Sequence, residues 1–296
     1  MNLRMPVVSI VLPTYNRSGY YLERAIQSVI NQSYGKWELI IIDNNSSDDT
    51  IKSIFNYKDE RIKILSINNN GNIALSRNLG IENSIGEYIA FLDSDDYWEK
   101  NKLYECINLM EQNDFEGICH GEYWNNEDKA TKVTYGPEDN FKLEKLLLRG
   151  NCISLSAIVI KKEKIIDVDC FSTKQEIITA EDYDLWIKLS KQNLKLHFTT
   201  KVLGTYQIHK NSESSNIIRN THASIKVIEG HIKDQVLLNK ALSNCWKTAG
   251  KLYYKNGSNK YALKSFMKSL RLNLYDITIY FYLIISIIPI NIYKKL

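Results

Sequence analysis

No cysteine pair in this 296-residue chain has the spacing of a metal or redox motif. Cys106, Cys119, Cys152, Cys170 and Cys245 are scattered, odd in number and contain no C-x-x-C. That argues against a disulfide framework and a zinc site, and makes a reducing cytosol the expected setting. A basic head, apolar core and small-residue cleavage site are missing too: Met1 to Pro6 run straight into a strand-like segment, so no secretory signal is expected. Charge of one sign is scarce. The 38 basic and 34 acidic residues leave a formal +4, too mild for nucleic-acid binding yet compatible with an anionic membrane surface. The most apolar segment, Ile277 to Ile288, is shorter than the roughly 20 residues needed to cross a bilayer. With Pro289 and Lys294-Lys295 beyond it, it reads as an interfacial or a core helix. Glycine fingerprints are also absent. No G-x-G-x-x-G follows the first strand-like run and no G-x-x-x-x-G-K-[ST] occurs anywhere, which disfavours a dinucleotide-binding enzyme and a P-loop NTPase. Any bound phosphate must then be handled by metal and Arg/Lys.

What is present is ordinary globular material, 44% hydrophobic and 24% charged, in a length that suits one large α/β domain with additions or two small domains. Val7 to Leu12 is apolar at nearly every position, as in a parallel strand buried on both faces. Leu22, Ala25, Ile26, Val29 and Ile30 then form a helical stripe. Strands are expected at Glu38 to Ile42, Arg61 to Ile67 and Glu87 to Leu92. Helices are expected after Asp48-Asp49-Thr50, over Ala74 to Ser84 with Gly80 an imperfection, and over Trp98 to Gln112. This rhythm predicts an α/β fold with a mostly parallel, Rossmann-like sheet flanked by helices. Phe115 to His209 is less regular, with strand-like runs at Ser156 to Ile160, Lys195 to Thr199 and Leu203 to Ile208, and a helix from Glu181. From about Asn220 the chain reads as a helical extension. Its pair Ala241 to Tyr254 and Lys260 to Arg271, broken at Asn256-Gly257-Ser258, faintly resembles one tetratricopeptide-type hairpin.

In open α/β sheets, ligands bind at the carboxyl ends of strands. Three clusters follow such ends: Pro13-Thr14-Tyr15-Asn16-Arg17, Asp43 to Asp48, and Asp93-Ser94-Asp95-Asp96. Asp93 and Asp95 are two apart, so in extended chain both carboxylates point one way, a pattern suited to Mg²⁺ or Mn²⁺ shared with phosphate oxygens. The plain alternative is a polar turn with Asp96 capping the next helix.

Val8 to Arg17, Ile42 to Asp48, Arg77-Asn78-Leu79-Gly80, Gly86-Glu87-Tyr88 and Leu92 to Asp96, in that order, resemble family-2 glycosyltransferases of the GT-A fold over roughly residues 5 to 215. The resemblance implies a transferase domain at 1–215, with a nucleotide-sugar half at 1–112 and an acceptor half at 113–215; beyond it, the residues themselves read as a helical region at 216–296 with an apolar, membrane-associating tail. It implies that Pro13, Thr14, Tyr15 and Asn16 line the nucleobase pocket, with Tyr15 near the uracil. Asp43 would bind base or ribose, Arg77 base or diphosphate, and Asp93 ribose or metal beside Ser94, while Asp95 would hold Mn²⁺ or Mg²⁺. His209, in Tyr206 to Ser215, would reach metal or diphosphate, with Lys210 and Ser212 as weaker candidates. In isolation Asp43 could merely start a turn and Arg77 could be a solvated helix residue. An inverting transfer needs a carboxylate to take the acceptor proton. The resemblance points to Asp182 for this, supported by Glu181, although an acidic first turn favoured by the helix dipole also accounts for both. Trp186 reads as core or as acceptor-site wall.

The implied reaction moves a hexose, glucose or galactose, from a UDP-sugar to a polyprenyl-diphosphate-linked sugar in surface-polysaccharide synthesis, at the cytoplasmic side of a bacterial inner membrane. A sugar-nucleotide pyrophosphorylase would need a Gly/Arg/Lys-rich loop where Pro13 to Asn16 stand, and a non-catalytic tethered protein would have no use for Asp93, Asp95 and Asp182 together.

Overall fold

The computed structural model describes residues 7–126, 129–209 and 215–287. In chain order, β1 (Val8–Thr14), α1 (Tyr20–Ile30), β2 (Trp37–Asp43), α2 (Thr50–Phe55), β3 (Ile62–Ser66), α3 (Ile73–Glu82) and β4 (Tyr88–Phe91) realise the alternation. Next come β5 (Tyr97–Trp98), α4 (Lys102–Asn113), β6 (Gly117–Asn125), β7 (Ala130–Val133), α5 (Leu143–Arg149), β8 (Ile158–Lys161), α6 (Lys162–Ile166), α7 (Glu181–Lys191) and β9 (Leu196–Gln207). The last four elements are α8 (Ile217–His231), α9 (Gln235–Lys255), α10 (Asn259–Leu272) and α11 (Ile277–Ile287).

The chain divides into two compact units. The first comprises residues 1–142, 152–173 and 185–210, and the second residues 143–151, 174–184 and 211–296. The first holds the sheet, ordered β3-β2-β1-β4-β8-β6-β9-β5 with β7 paired to β6. Strands β3, β2, β1 and β4 run parallel. β8 is antiparallel to both its neighbours, β6 and β9 are parallel, and β5 is antiparallel to β9. β1 and β2 are buried at every position, which is why their sequences are mostly apolar rather than alternating, and where Ser9 and Glu38 interrupt them the two side chains hydrogen-bond to each other. Strand order reverses at β1, between β2 and β4, so the crevice opens above the carboxyl ends of these strands.

Some sequence expectations are refined here. Trp98 starts no helix: Tyr97–Trp98 pair with Thr205 and Gly204 of β9, and α4 begins only at Lys102. The runs at 195–199 and 203–208 are one long strand, β9. Gly80 is a packing requirement. A Cβ there would lie 2.6 Å from Val11 Cγ1 and 2.9 Å from Ile42 Cδ1, so the missing side chain lets α3 rest on β1 and β2. The cost of a helical glycine, roughly 1 kcal/mol against alanine, is offset by that contact.

The second unit is helical. Phe266 of α10 presses on the bare backbone of Gly250 in α9, where an added Cβ would stand 2.4 Å from the ring. Tyr254, Ala262, Phe266 and Ile279 form its small apolar cluster, with Tyr282, Leu283 and Ile285 packed against it. The expected hairpin is therefore present as α9 and α10, and the apolar segment as α11. No helix among the described residues is long and apolar enough to cross a membrane. Pro289, Lys294 and Lys295 lie outside the described residues.

Candidate active site

The three strand-end clusters converge within the first unit. Thr14 at the end of β1 is in register with Asp43 at the end of β2. Asn16, held at φ 43°, accepts the Ser47 amide at 2.8 Å and donates its own amide to Ser46 Oγ at 2.9 Å. Asp48 accepts the amides of Ser18 and of Thr50, the first residue of α2. Burial pushes its carboxyl up, but the bonds from Thr50 and Ser18 outweigh that and hold it down to about 2. The two loops thus form one rigid rim. Tyr15 stands out from it, 56% exposed, its ring free to lie against a planar base, while Thr14 Oγ1 is buried with no hydrogen-bond partner among the described residues. Asp43 does close a turn: its two oxygens accept from the Ser46 amide and hydroxyl.

Asp93 and Asp95 have different partners. Arg77 is a buried residue, not a solvated one, and its guanidinium donates to Asp93 Oδ1 at 3.0 Å. Asn78 next to it both donates to the Phe171 carbonyl and accepts its amide, which fixes α3 at this depth. Asp95 Oδ2 lies 2.8 Å from His209 Nε2 and 3.8 Å from Arg17. Ser94 is buried. Asp96 does not cap α4. It is fully buried, accepts from Ser156 Oγ at 2.6 Å and from the Gln207 amide at 2.8 Å, and so ties the aspartate turn to β9. Burial first, then the charges of Asp95, Glu122 and Asp93, raise its carboxyl well above the usual range.

Sequence reading passed over Arg24. From α1 its guanidinium lies over the Tyr97 ring at 4.1 Å and donates to the Asp95 carbonyl and to Gln207 Oε1, each at 3.1 Å. One side chain therefore clamps the aspartate turn to the end of β9, two residues before His209. Tyr21, on the same helix, stacks on the His209 ring at 5.4 Å. The one trace of this in the sequence is the Tyr20-Tyr21-x-x-Arg24 spacing on a single helix face.

Beneath the turn lies a buried polar layer. The Lys102 ammonium sits 3.4 Å from the Trp98 ring centroid, with no hydrogen-bond partner among the described residues. Burial pulls it down to about 7, against the influence of Cys106, Glu122 and Cys119. Glu122, which accepts from Tyr135 at 2.6 Å, is pushed up to about 7, chiefly by burial. Trp98 donates to the Ser156 carbonyl at 2.8 Å, which links this layer to Asp96.

Glu181 and Asp182 belong to the second unit, at the start of α7. Glu181 is buried and accepts the Thr179 amide, whereas Asp182 is half-buried and receives Asn151 Nδ2 at 2.8 Å. Tyr183 donates to the Leu146 carbonyl, and Asp184 pairs with His231 at 2.8 Å. Trp186 is fully buried. Lys210 and Ser212 lie outside the described residues.

No group of three or more His, Cys, Asp or Glu side chains gathers as a metal cage among the described residues. The Asp95–His209 pair is a smaller donor set, one carboxylate and one imidazole, of the kind that completes a cation's shell with substrate oxygens.

The fold, a parallel half-sheet with carboxylates at its switch point, is that of the GT-A class of sugar transferases. The chain belongs to glycosyl transferase family 2, whose family model matches residues 9–158. It is 31% identical to a putative teichuronic acid biosynthesis glycosyltransferase, TuaG, of Bacillus subtilis, over 71% of this chain and 82% of that one. It is 29% identical to the UDP-Glc:alpha-D-GlcNAc-diphosphoundecaprenol beta-1,3-glucosyltransferase WfgD of Escherichia coli, over 85% and 98%. In fold it is similar to S. aureus TarS 1-349 in complex with UDP-GlcNAc (TM-score 0.63, 16% identity, 90% and 81% covered). It is also similar to the mannosyltransferase PcManGT of Pyrobaculum calidifontis, in complex with GDP-Man and Mn2+ (TM-score 0.61, 16% identity, 96% and 87% covered).

Proposed function

We propose that this glycosyltransferase moves a hexose, glucose or galactose, from a UDP-sugar to a polyprenyl-diphosphate-linked sugar, inverting the anomeric centre. The product is a β-linked lipid-bound saccharide for a surface polysaccharide, made at the cytoplasmic face of a bacterial inner membrane. The observation that carries the reading is the juxtaposition of Asp95 with His209 and Arg17, beside the Arg77–Asp93 pair, at the mouth of the parallel half-sheet. That cluster offers two metal donors and two guanidinium groups to a diphosphate, and the rim above it presents Tyr15 and the unpartnered Thr14 hydroxyl to a nucleoside. The reaction that WfgD is named for supports UDP-glucose and a lipid diphosphate acceptor.

Asp95 and His209 would hold Mn²⁺ or Mg²⁺, which when bound offsets the negative charge gathering on the departing diphosphate. The protein's own groups do the rest. Arg77 holds the Asp93 carboxylate in place. Asp182 takes the acceptor hydroxyl proton, and Glu181, held by the Thr179 amide, fixes the start of its helix.

The test is a panel of UDP-sugars with a lipid-diphosphate-linked GlcNAc acceptor, with and without Mn²⁺, following UDP release and product anomer. Release with UDP-glucose or UDP-galactose and a β-linked product are expected. Absence of transfer from every UDP-sugar, or an α-linked product, overturns the reading.

A further inference from the structure

We propose that the second unit docks on an anionic lipid bilayer through the outer face of α11, beside the lysine stripe of α9. The proposal rests on the reading that the acceptor is carried by a membrane, and adds the surface that meets it.

The first observation is charge segregation. Residues 235–296 hold ten of the 38 basic residues and one of the 34 acidic ones, Asp276, a formal +9. Residues 1–234 hold the other 28 and 33, a formal −5. The small net charge of the whole chain thus hides two opposed parts. The single acid is already neutralised, because Lys247 pairs with Asp276 at the entrance to α11. On α9, Lys247, Lys251 and Lys255 recur every fourth residue, and on α10 Lys260, Lys264 and Lys268 do the same, with Arg271 one turn on. All of these but Lys247 are exposed.

The second observation is an uncovered apolar stripe. Ile277, Tyr280, Phe281, Ile284 and Ile287 recur at helical spacing along α11 and are all exposed, Ile277 at 80% and Ile287 at 74%. Tyr275, just before the helix, is 94% exposed. The opposite face is packed: Ile279 and Ser286 are buried, and Tyr282 stacks on Phe266 at 5.3 Å. The stripe is therefore the outer surface of a docked helix, and a contiguous apolar patch of this kind marks a binding surface. Lys251 stands 4.7 Å from the Tyr282 ring centroid, which brings the basic stripe of α9 against α11.

The occupant follows from both observations together. A second copy of this chain would set one +9 surface against another, so like charges would oppose the apolar contact. A bilayer with anionic headgroups supplies apolar depth and negative charge at once. Eleven residues of helix span about 16 Å, roughly half the hydrocarbon thickness, so α11 lies along the interface rather than across it.

The experiment is sedimentation of the full chain with vesicles of phosphatidylcholine alone or mixed with phosphatidylglycerol. Binding should need the anionic lipid and weaken with salt. Replacing Lys251 and Lys255 together by Gln should lower partitioning onto anionic vesicles about thirtyfold. Phe281→Gln with Ile284→Gln should abolish it, with circular dichroism unchanged in both variants. Equal binding to both vesicle types, no binding, or a concentration-dependent dimer that Phe281→Gln dissolves would each overturn the proposal. Transfer to a water-soluble acceptor, run alongside, should be the same for wild type and variants. If transfer fails throughout while the vesicle results hold, the substrate reading falls and the docking surface stands.

Discussion

Lys102→Met should stabilise the protein, and by an amount that depends on pH. Lys102 is fully buried at the start of α4, its ammonium against the Trp98 ring and without a hydrogen-bond acceptor among the described residues. Burial lowers it from 10.5 to about 7. A folded value below the unfolded one means that protonation opposes folding. The penalty is absent above pH 10.5, grows as pH falls, and is complete below about 7. Worked through both protonation equilibria, it is about 4 kcal/mol at pH 7 and about 2 kcal/mol at pH 9. The Trp98 contact returns part of this in the native state. Methionine keeps the length of the side chain, and its thioether keeps a favourable aromatic contact. The gap between variant and wild type should therefore narrow by about 2 kcal/mol from pH 7 to pH 9. Guanidinium unfolding followed by circular dichroism at the two pH values measures it. Comparing the two proteins at each pH cancels the titration of other groups, except Glu122, which faces the same layer. A gap that is constant with pH, or a variant less stable at pH 7, would refute the reasoning and make the ammonium a paired charge.

Other outcomes follow from the same structure. Asp182→Asn should lower turnover roughly 10² to 10⁴-fold with UDP affinity nearly unchanged, read by product formation and by nucleotide titration. Near-normal turnover would move the base elsewhere. Asp95→Ala should remove nearly all transfer without unfolding the chain, and full wild-type activity in excess EDTA would dismiss a metal role. Arg24→Gln should raise the Mn²⁺ concentration needed for half-maximal rate far more than it changes the KM for acceptor, because the guanidinium holds the Asp95 turn against β9. An unchanged metal requirement would leave it a purely structural residue. Gly86→Ala should cost about 1 to 3 kcal/mol of stability. Its Cβ would stand 2.7 Å from the Ser9 amide nitrogen, backbone that cannot swing aside; a melting temperature equal to wild type would contradict that contact.

The first half of the fold was legible because its strands are buried on both faces. Val8 to Leu12 and Leu39 to Ile42 can only be central parallel strands, and strand-end logic then gathered residues 13–17, 43–48 and 93–96. The second half was less legible for an equally physical reason. Tyr97–Trp98 is two residues long, too short for any periodicity, and Trp98 looked like the start of α4. Gly80 and Gly86 could not be explained from sequence, since each is set by a neighbour far along the chain, Val11 in one case and Ser9 in the other. For Asp96 the sequence offered only a cap, as the plain alternative, because caps are local, whereas its partners Ser156 and Gln207 are distant. Arg24 escaped for the same reason: helix spacing says which face a residue occupies, not that a carbonyl 71 positions on awaits it.

Strand β5 has a consequence for how sequences of this fold can change length. Its two pairs, Tyr97 with Thr205 and Trp98 with Gly204, are the gauge that sets Asp95 and His209 face to face. Asp95 stands two residues before one end of that gauge and His209 four residues beyond the other. Loops elsewhere can lengthen without disturbing it. Between Asp95 and Trp98, or between Gly204 and His209, a single inserted residue would lengthen one arm of the gauge and part the 2.8 Å contact between Asp95 and His209. Insertions and deletions should therefore be scarce in those two short counts.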